Sequence, residues 1–337
     1  MGKWYLKDGN MSDIVISTRI RLARNFEDYV FPESLDDKSR LEIFENVKNI
    51  FANQEDISSY TLDTLSEEQL GSFVEKHIIS PEFANNRRNS KGLIVRNEGE
   101  MSIMVNEEDH LRMQFISSGF QLDEIWRIAE SVDKMIESRQ RYAFSNSVGY
   151  LTSCLTNVGT ALRASVMLHL PAFCITKKIN SLLEACNKMG FAVRGLYGEH
   201  SKSAGYMFQI SNQVSLGHTE LEIIDNVKRM VLQIIEKEKN LRKVLHDKEK
   251  ERLDDKIYRA VGILKYAKLI TKEESFGLFS DIRLGISMGI LKDIDILDIN
   301  ALNILVCPYT LQLEVGRKLN SYERDIERAK IIQGRLK

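Results

Sequence analysis

The sequence predicts an α+β fold, with a mixed domain over residues 12–245 followed by a smaller all-α domain over 246–337. Three observations point to it. Short runs rich in β-branched and large apolar residues, bounded by Gly, Asn and Ser, recur through the first two-thirds of the chain. Between them lie stretches with apolar residues at helical spacing. Beyond residue 257 the helical period continues with few strand signals and ends in a charged run.

Ser12-Asp13-Ile14-Val15-Ile16 is the first expected strand, and residues 36–52 form the first expected helix. Gly92-Leu93-Ile94-Val95 leads through Asn97-Glu98-Gly99 into 101–105 as a hairpin. Helices are expected over 121–139 and 177–189, and strands over 148–152, 192–196 and 207–210. Thr219 and Glu222 make a capping box for a long amphipathic helix carrying Leu221, Ile224, Val227, Val231, Ile234 and Ile235. It runs out into 236–256, dense in both charge signs and expected to be a solvated helical connection, so the domain boundary is placed near 245.

The 337 residues can bury a sizeable core, and 43% hydrophobic with 28% charged residues is a globular composition. With 47 basic against 48 acidic side chains, a dedicated nucleic-acid binder is disfavoured. No apolar run approaches the roughly 18 residues of a membrane span. The opening Met1-Gly2-Lys3-Trp4-Tyr5-Leu6 lacks a signal-peptide core and has Leu6 where myristoylation needs Ser or Thr. Cys154, Cys174, Cys186 and Cys307 have no CxxC spacing and are too sparse for a disulfide framework. A cytoplasmic protein with reduced thiols is expected.

The stretch MSIMVNEEDHLRMQ, residues 101–114, places Glu107, Glu108 and Asp109 side by side at a strand end, with His110 and Arg112 just after. Alone, it would be an exposed acidic turn. Four segments, however, set arginines among small or polar residues: Arg19 and Arg21 in STRIR, Arg112, Arg163 in GTALRAS, and Arg194 in RGLYGEHS. On a strand Arg19 and Arg21 share a face. Arg163 follows a Gly-Thr turn at an expected helix start, where backbone N–H groups favour anions. Any one of these arginines is ordinarily a surface or structural ion pair. Five together, with no GxxxxGK[ST] loop, fit a polyphosphate clamp built without a P-loop.

NEEDHLR, the CxTNxGTxLRAS run at 154–165, RGxxGEHS at 194–201 and STRIRLARN at 17–25 together resemble the phosphagen kinase family, in family order, over about residues 12–245. The resemblance implies an antiparallel sheet flanked by helices, with ATP and Mg²⁺ as cofactors. It implies ATP contacts from Ser17-Thr18-Arg19-Ile20-Arg21, His77, Arg112, Arg163-Ala164-Ser165-Val166-Met167 and Arg194-Gly195-Leu196-Tyr197-Gly198-Glu199. Glu108 and Glu199 would orient the guanidinium and draw off its proton, with Arg112 and Cys154 also catalytic. Glu107 would act on a magnesium-bound water, with no metal held by the protein alone. His77 is expected near the base or ribose, although a lone histidine beside apolar residues is often structural. His110 and His200 lie in motifs and would orient neighbours. Two residues depart from the family pattern: Leu155 stands in place of a proline and Ala161 in place of a glycine. Ala161 would strain the loop if a positive φ is needed there.

Arginine and creatine kinases carry a helical domain ahead of the STRIR segment. Here that segment begins at Ser17, and an open site able to admit a protein side chain is expected. Near the other end, Arg324-Asp325-Ile326-Glu327-Arg328-Ala329 sets two arginines at i,i+4 with Asp325 between them. By itself this is a salt-bridged helix face. With the open site and the helical extension, RDxxRA resembles the McsB-type protein arginine kinases of bacteria. That resemblance implies phosphorylation of arginine side chains in proteins, a phosphoarginine receptor at Arg324, Asp325, Arg328 and Ala329, and marking of substrates for an AAA+ Clp unfoldase. A homodimer and an activator protein are implied partners, with no direct nucleic acid or membrane. The alternatives are a kinase for free arginine and a non-catalytic phosphoarginine-binding adaptor.

Overall fold

A computed structural model describes residues 3–86, 90–195 and 204–336. The described chain runs β1 (Val15–Arg24), α1 (Asp37–Ile50), β2 (Ile57–Thr61), α2 (Glu67–Glu75), α3 (Pro81–Asn85), β3 (Gly92–Arg96), β4 (Met101–Val105) and β5 (Leu111–Ser118). It continues through α4 (Leu122–Glu137), the short pair β6 (Phe144–Ser145) and β7 (Gly149–Tyr150), β8 (Leu162–His169), α5 (Pro171–Ile175), α6 (Ile179–Lys188), β9 (Phe191–Gly195) and β10 (Met207–Asn212). Helices α7 (Glu220–Tyr266), α8 (Lys272–Ser287), α9 (Ile296–Leu305), α10 (Pro308–Val315) and α11 (Ser321–Arg335) follow.

Eight strands form one sheet in the order β2-β3-β4-β5-β1-β8-β10-β9, every pair antiparallel. Alternation sorts its two faces. Ile20, Leu22, Met113, Phe115, Ala164, Val166, Phe208 and Ile210 enter the main core, together with Ile125 and Ala129 of α4 and Val227 and Val231 of α7. Residues directly opposite one another share a face, so Arg21 stands with Gln114 on one side and Arg163 on the other. Arg19 stands with Ser165, and Gln209 with Arg194. The face away from the core is thus a lawn of arginine, glutamine and serine.

Most expected elements form within a residue or two of their predicted ends, but the first strand, expected over 12–16, runs Val15–Arg24 and so carries Arg19 and Arg21. The Thr219–Glu222 capping box is present in both directions at the start of α7. Three differences bear on the site. Arg163 lies in strand β8 and not at a helix start, because Leu162, Ala164, Val166 and Leu168 bury one face of a period-2 pattern. The strand expected over 148–152 shrinks to Gly149–Tyr150. The charged connection is helical but not wholly solvated: Glu238 and Arg242 are buried, and α7, 47 residues long, kinks at Glu249, close to the boundary expected near 245.

Helices α8, α9 and α11 enclose a second core with the end of α7, including Leu264, Phe279, Ile282, Leu302, Val306 and Ile332. Buried polar groups lock this core to the sheet. The Glu238 carboxylate accepts from the N–H groups of Ala172 and Phe173 at the start of α5, and from Arg242. Arg242 in turn donates to the His169 carbonyl at the end of β8 and to Ser287 of α8. Among the described residues, no single helix is long and apolar enough to cross a membrane.

Candidate active site

A cleft of about 1170 Å³ opens on the polar face of the sheet, lined among others by Arg19, Arg21, His77, Glu107, Glu108, Arg112, Gln114 and Arg194. Strand geometry explains the convergence. Arg19 and Arg21 project together from β1, Arg112 and Gln114 from β5, and Arg163 from β8 directly opposite Arg21. Gathering these cations is unfavourable without an anion. Burial first, and then Arg112 and Arg163, lower the Arg19 guanidinium to about 10. Burial, followed by Arg19, Arg112, Arg163 and Arg194, pushes Arg21 well below the usual range. The buried Nε of Arg21 has no hydrogen-bond partner among the described residues. A polyphosphate would satisfy that donor and relieve the repulsion.

Neutral side chains aim the arginines. Arg19 donates to Gln209 Oε1 at 2.6 Å and to Gln114 Oε1 at 3.4 Å, and Arg163 donates to Ser211 Oγ at 3.0 and 3.3 Å. The sequence reading missed Gln114, Gln209 and Ser211. Gln114 lies two residues from Arg112 and Gln209 stands opposite Arg194, while Ser211 stands opposite Ser165, two residues along β8 from Arg163.

The acidic loop divides its labour. Glu107 accepts from Ser80 Oγ and, at 2.7 Å, from Arg112 Nη1, so both carboxylate oxygens are engaged in placing Arg112. Asp109 is buried and accepts from Asn25 Nδ2 and from the Ser153 N–H, both at 2.7 Å, which ties the Cys154 loop to the acidic loop. His110 accepts at Nδ1 from the Phe26 N–H, and its Nε2 faces the Val30 carbonyl at 2.9 Å, so Nε2 carries the proton. Burial holds this imidazole down at about 4, and His110 is a neutral strut. Glu108 lines the cleft beside Glu107 but is exposed and has no hydrogen-bond or ion-pair partner among the described residues. Burial and the neighbouring Asp109 and Glu107 raise its carboxyl, which makes it a better proton acceptor.

Cys154 is half-buried with its Sγ 3.0 Å from Thr156 Oγ1. Leu155 beside it is 87% exposed and fills no pocket. Ala161 adopts φ +49°, the left-handed conformation in which a glycine would be unstrained. Leu196, Tyr197, Gly198, Glu199 and His200 lie outside the described residues.

His77 sits at φ +59° between the cleft and two smaller chambers. One, lined by Ser17, Arg19, Ser165, Met167 and Gln209, continues the path from the arginines. The other is apolar and shares Ser17, His77 and Met167 with it. Burial, with Arg19 nearby, lowers His77 to about 4, so it stands neutral against Trp4. Tyr309 and Lys272, from the helices beyond α7, also line the main cleft.

Arg324, Asp325, Arg328 and Ala329 fall on consecutive turns of α11. Arg324 is half-buried and donates to the Leu319 carbonyl. Arg328 is 2% exposed and donates to the carbonyls of Val306 and Ile270 and to Asp325. The two arginines are therefore not equivalent: Arg328 is largely spent inside the protein.

Residues 40–241 match the family model for the ATP:guanido phosphotransferase C-terminal catalytic domain, and residues 250–337 match the protein-arginine kinase McsB C-terminal domain. Protein-arginine kinases of Bacillus pumilus and Desulforamulus reducens are 43% and 44% identical to the chain. They match over 100% and 99% of its length and 94% and 95% of their own. The duplicated taurocyamine kinase of Schistosoma mansoni with bound transition state analog components is 27% identical, with a TM-score of 0.59, over 67% of this chain and 33% of that one. Lombricine kinase shares the fold at 24% identity and a TM-score of 0.59, over 71% of this chain and 70% of that one.

Proposed function

The chain belongs to the ATP:guanido phosphotransferase family, in its protein-arginine kinase branch, and from that premise we propose that it moves the γ-phosphate of ATP onto arginine side chains of proteins. The observation that carries this is the arginine row with its unpartnered Arg21 Nε, facing the one carboxylate of the acidic loop that is free to act, Glu108. A substrate guanidinium is protonated and a poor nucleophile. Glu108 takes a proton from the attacking nitrogen as the N–P bond forms and the bond from Pγ to the β-phosphate oxygen breaks. ADP leaves with that oxygen's charge held by the arginines. Glu199, one motif away, would be the second carboxylate on the guanidinium.

Among the described residues no group of three or more His, Cys, Asp or Glu side chains could hold a metal. The arginine row would hold the nucleotide with any Mg²⁺ it carries, and that ion would supply charge neutralisation on the phosphates. Glu107 serves better as the anchor of Arg112 than as a partner of magnesium-bound water. Modified proteins delivered to an AAA+ unfoldase in the cytoplasm, and a homodimeric enzyme with an activator, complete the proposal. To test it, a denatured basic protein and free arginine are each incubated with ATP and the enzyme. Acid-labile phosphate on the protein supports the proposal. Acid-stable phosphate, or phosphate on free arginine alone, rejects it.

A further inference from the structure

The apolar chamber beyond His77 draws its walls from both parts of the chain. Ser17 and Met167 come from the sheet, Trp4 and Tyr5 from the N-terminal turn, and Phe276, Asn300, Asn303 and Ile304 from α8 and α9. It joins the arginine cleft through Ser17, Arg19 and His77, so a triphosphate on the arginines directs its base toward it. Aromatic and apolar walls suit a stacked purine, and the few polar groups must then read its edge.

Two asparagines on one face of α9 have their amides fixed by chemistry. Arg283 is fully buried and can only donate, so Asn300 turns its Oδ1 to Arg283 Nη1 at 2.5 Å and keeps its Nδ2. The Ile299 carbonyl can only accept, so Asn303 turns its Nδ2 to it at 2.9 Å and keeps its Oδ1. Neither remaining atom has a partner among the described residues. One donor and one acceptor, three residues apart on the helix, are left to the chamber. The Watson–Crick edge of adenine offers the complement, an amino donor at C6 and an acceptor at N1.

We propose that the helical region beyond α7 reads the nucleobase of the phosphoryl donor, with Asn303 Oδ1 accepting from the adenine 6-amino group and Asn300 Nδ2 donating to N1. This rests on the cleft being an ATP site. It makes the C-terminal helices part of the nucleotide site and not an appendage to it.

The test compares ATP with purine riboside triphosphate, which has hydrogen in place of the 6-amino group, in a protein-arginine kinase assay. One neutral hydrogen bond should give wild type a KM about fivefold to tenfold lower for ATP. In Asn303→Leu that ratio should fall to near one. The ratio is taken within each protein and so does not depend on how much of it folds. A wild type indifferent to the 6-amino group, or a ratio unchanged in Asn303→Leu, would overturn the proposal. A wild type that turns over neither nucleotide would instead overturn the kinase reading beneath it.

Discussion

Glu75 accepts hydrogen bonds from both the backbone N–H of Thr310, at 2.7 Å, and its hydroxyl, at 2.8 Å. The same carboxylate accepts from the Tyr309 N–H at 3.0 Å. An acid on α2 thus caps the N-terminus of α10, where its charge also opposes the helix dipole. The contact is tight: a Cβ on Gly71 of α2 would lie 2.2 Å from the Tyr309 ring. Glu75 precedes His77 by two residues, and Tyr309 lines the cleft, so this cap sets one wall of the site.

Glu75→Ala should therefore do two things. Stranding two backbone N–H groups and a hydroxyl should cost about 2–4 kcal/mol of stability, read from urea unfolding. It should also raise the KM for ATP with a smaller change in kcat, since the wall moves and the reacting groups do not. Unchanged kinetics in a destabilised protein would mean that the cap is only structural.

Glu108→Gln keeps the shape of the side chain and removes the proton acceptor. Loss of a positioned base typically lowers rate by on the order of 10²–10⁴, with ATP affinity nearly unchanged. Neighbouring acids and burial raise the Glu108 carboxyl, and only its ionised form can act. Wild-type kcat/KM should thus fall as pH drops through a value above the ordinary carboxylate range, and this limb should be missing in the residual activity of Glu108→Gln. A variant that keeps a tenth of wild-type activity would remove Glu108 from the base role.

Arg21→Met probes the cation row. Arg21 is crowded by Arg19, Arg112 and Arg163, and its Nε has no partner among the described residues. Replacing it should leave the nucleotide-free protein as stable as wild type or more so, because a buried charge without an anion is a cost. The rise in Tm that ATP gives wild type should vanish. Arg21→Lys should restore part of it, since an ammonium lacks the bidentate fork. A destabilised unliganded Arg21→Met with normal ATP protection would make Arg21 a structural residue.

The arginines were legible in the sequence because each sits in a short segment of small or polar residues, and the spacing of Arg19 and Arg21 fixes their shared face on a strand. The groups that aim them were not. Gln114 and Gln209 reach Arg19 across sequence separations of 95 and 190 residues, and no local pattern records such a meeting. Arg163 was expected at a helix start because the Gly-Thr turn was visible, while the buried alternation from Leu162 to Leu168 is recognisable only beside a neighbouring strand. Charge density in 236–256 gave the helix but not its anchoring, since a solvated connection and a helix anchored by Glu238 and Arg242 have the same composition.

Ala161→Gly addresses the departure in the loop before β8. A non-glycine residue at φ +49° pays a steric penalty of about 1–2 kcal/mol, partly offset by the greater unfolded-state freedom of glycine. The variant should gain about 0.5–1 kcal/mol in denaturant unfolding, with turnover equal to or above wild type. A loss of stability would show that the Ala161 side chain, which is buried, contributes more by packing than the backbone conformation costs.

The RDIERA turn on α11 separates a protein-tagging kinase from a metabolic one, and its two arginines should fail differently. Arg328 satisfies the buried carbonyls of Val306 and Ile270, so Arg328→Ala should cost about 3 kcal/mol or more and lower Tm before any ligand is added. Arg324 spends one nitrogen on the Leu319 carbonyl and is only half-buried, so Arg324→Ala should fold with a nearly unchanged Tm. If the turn receives phosphoarginine, Arg324 contributes charge-assisted bonds of about 1.5–3 kcal/mol each, and its loss should weaken binding at least about tenfold. Asp325, already bonded to Arg328, would hold the ligand's guanidinium. The measurement titrates a phosphoarginine peptide into Arg324→Ala and its parent, both carrying Glu108→Gln so that turnover does not consume the ligand. Equal affinity in two equally folded proteins would reduce RDIERA to a salt-bridged helix face. The assignment of protein substrates would then rest on the likeness to protein-arginine kinases and on the acid-labile phosphate test.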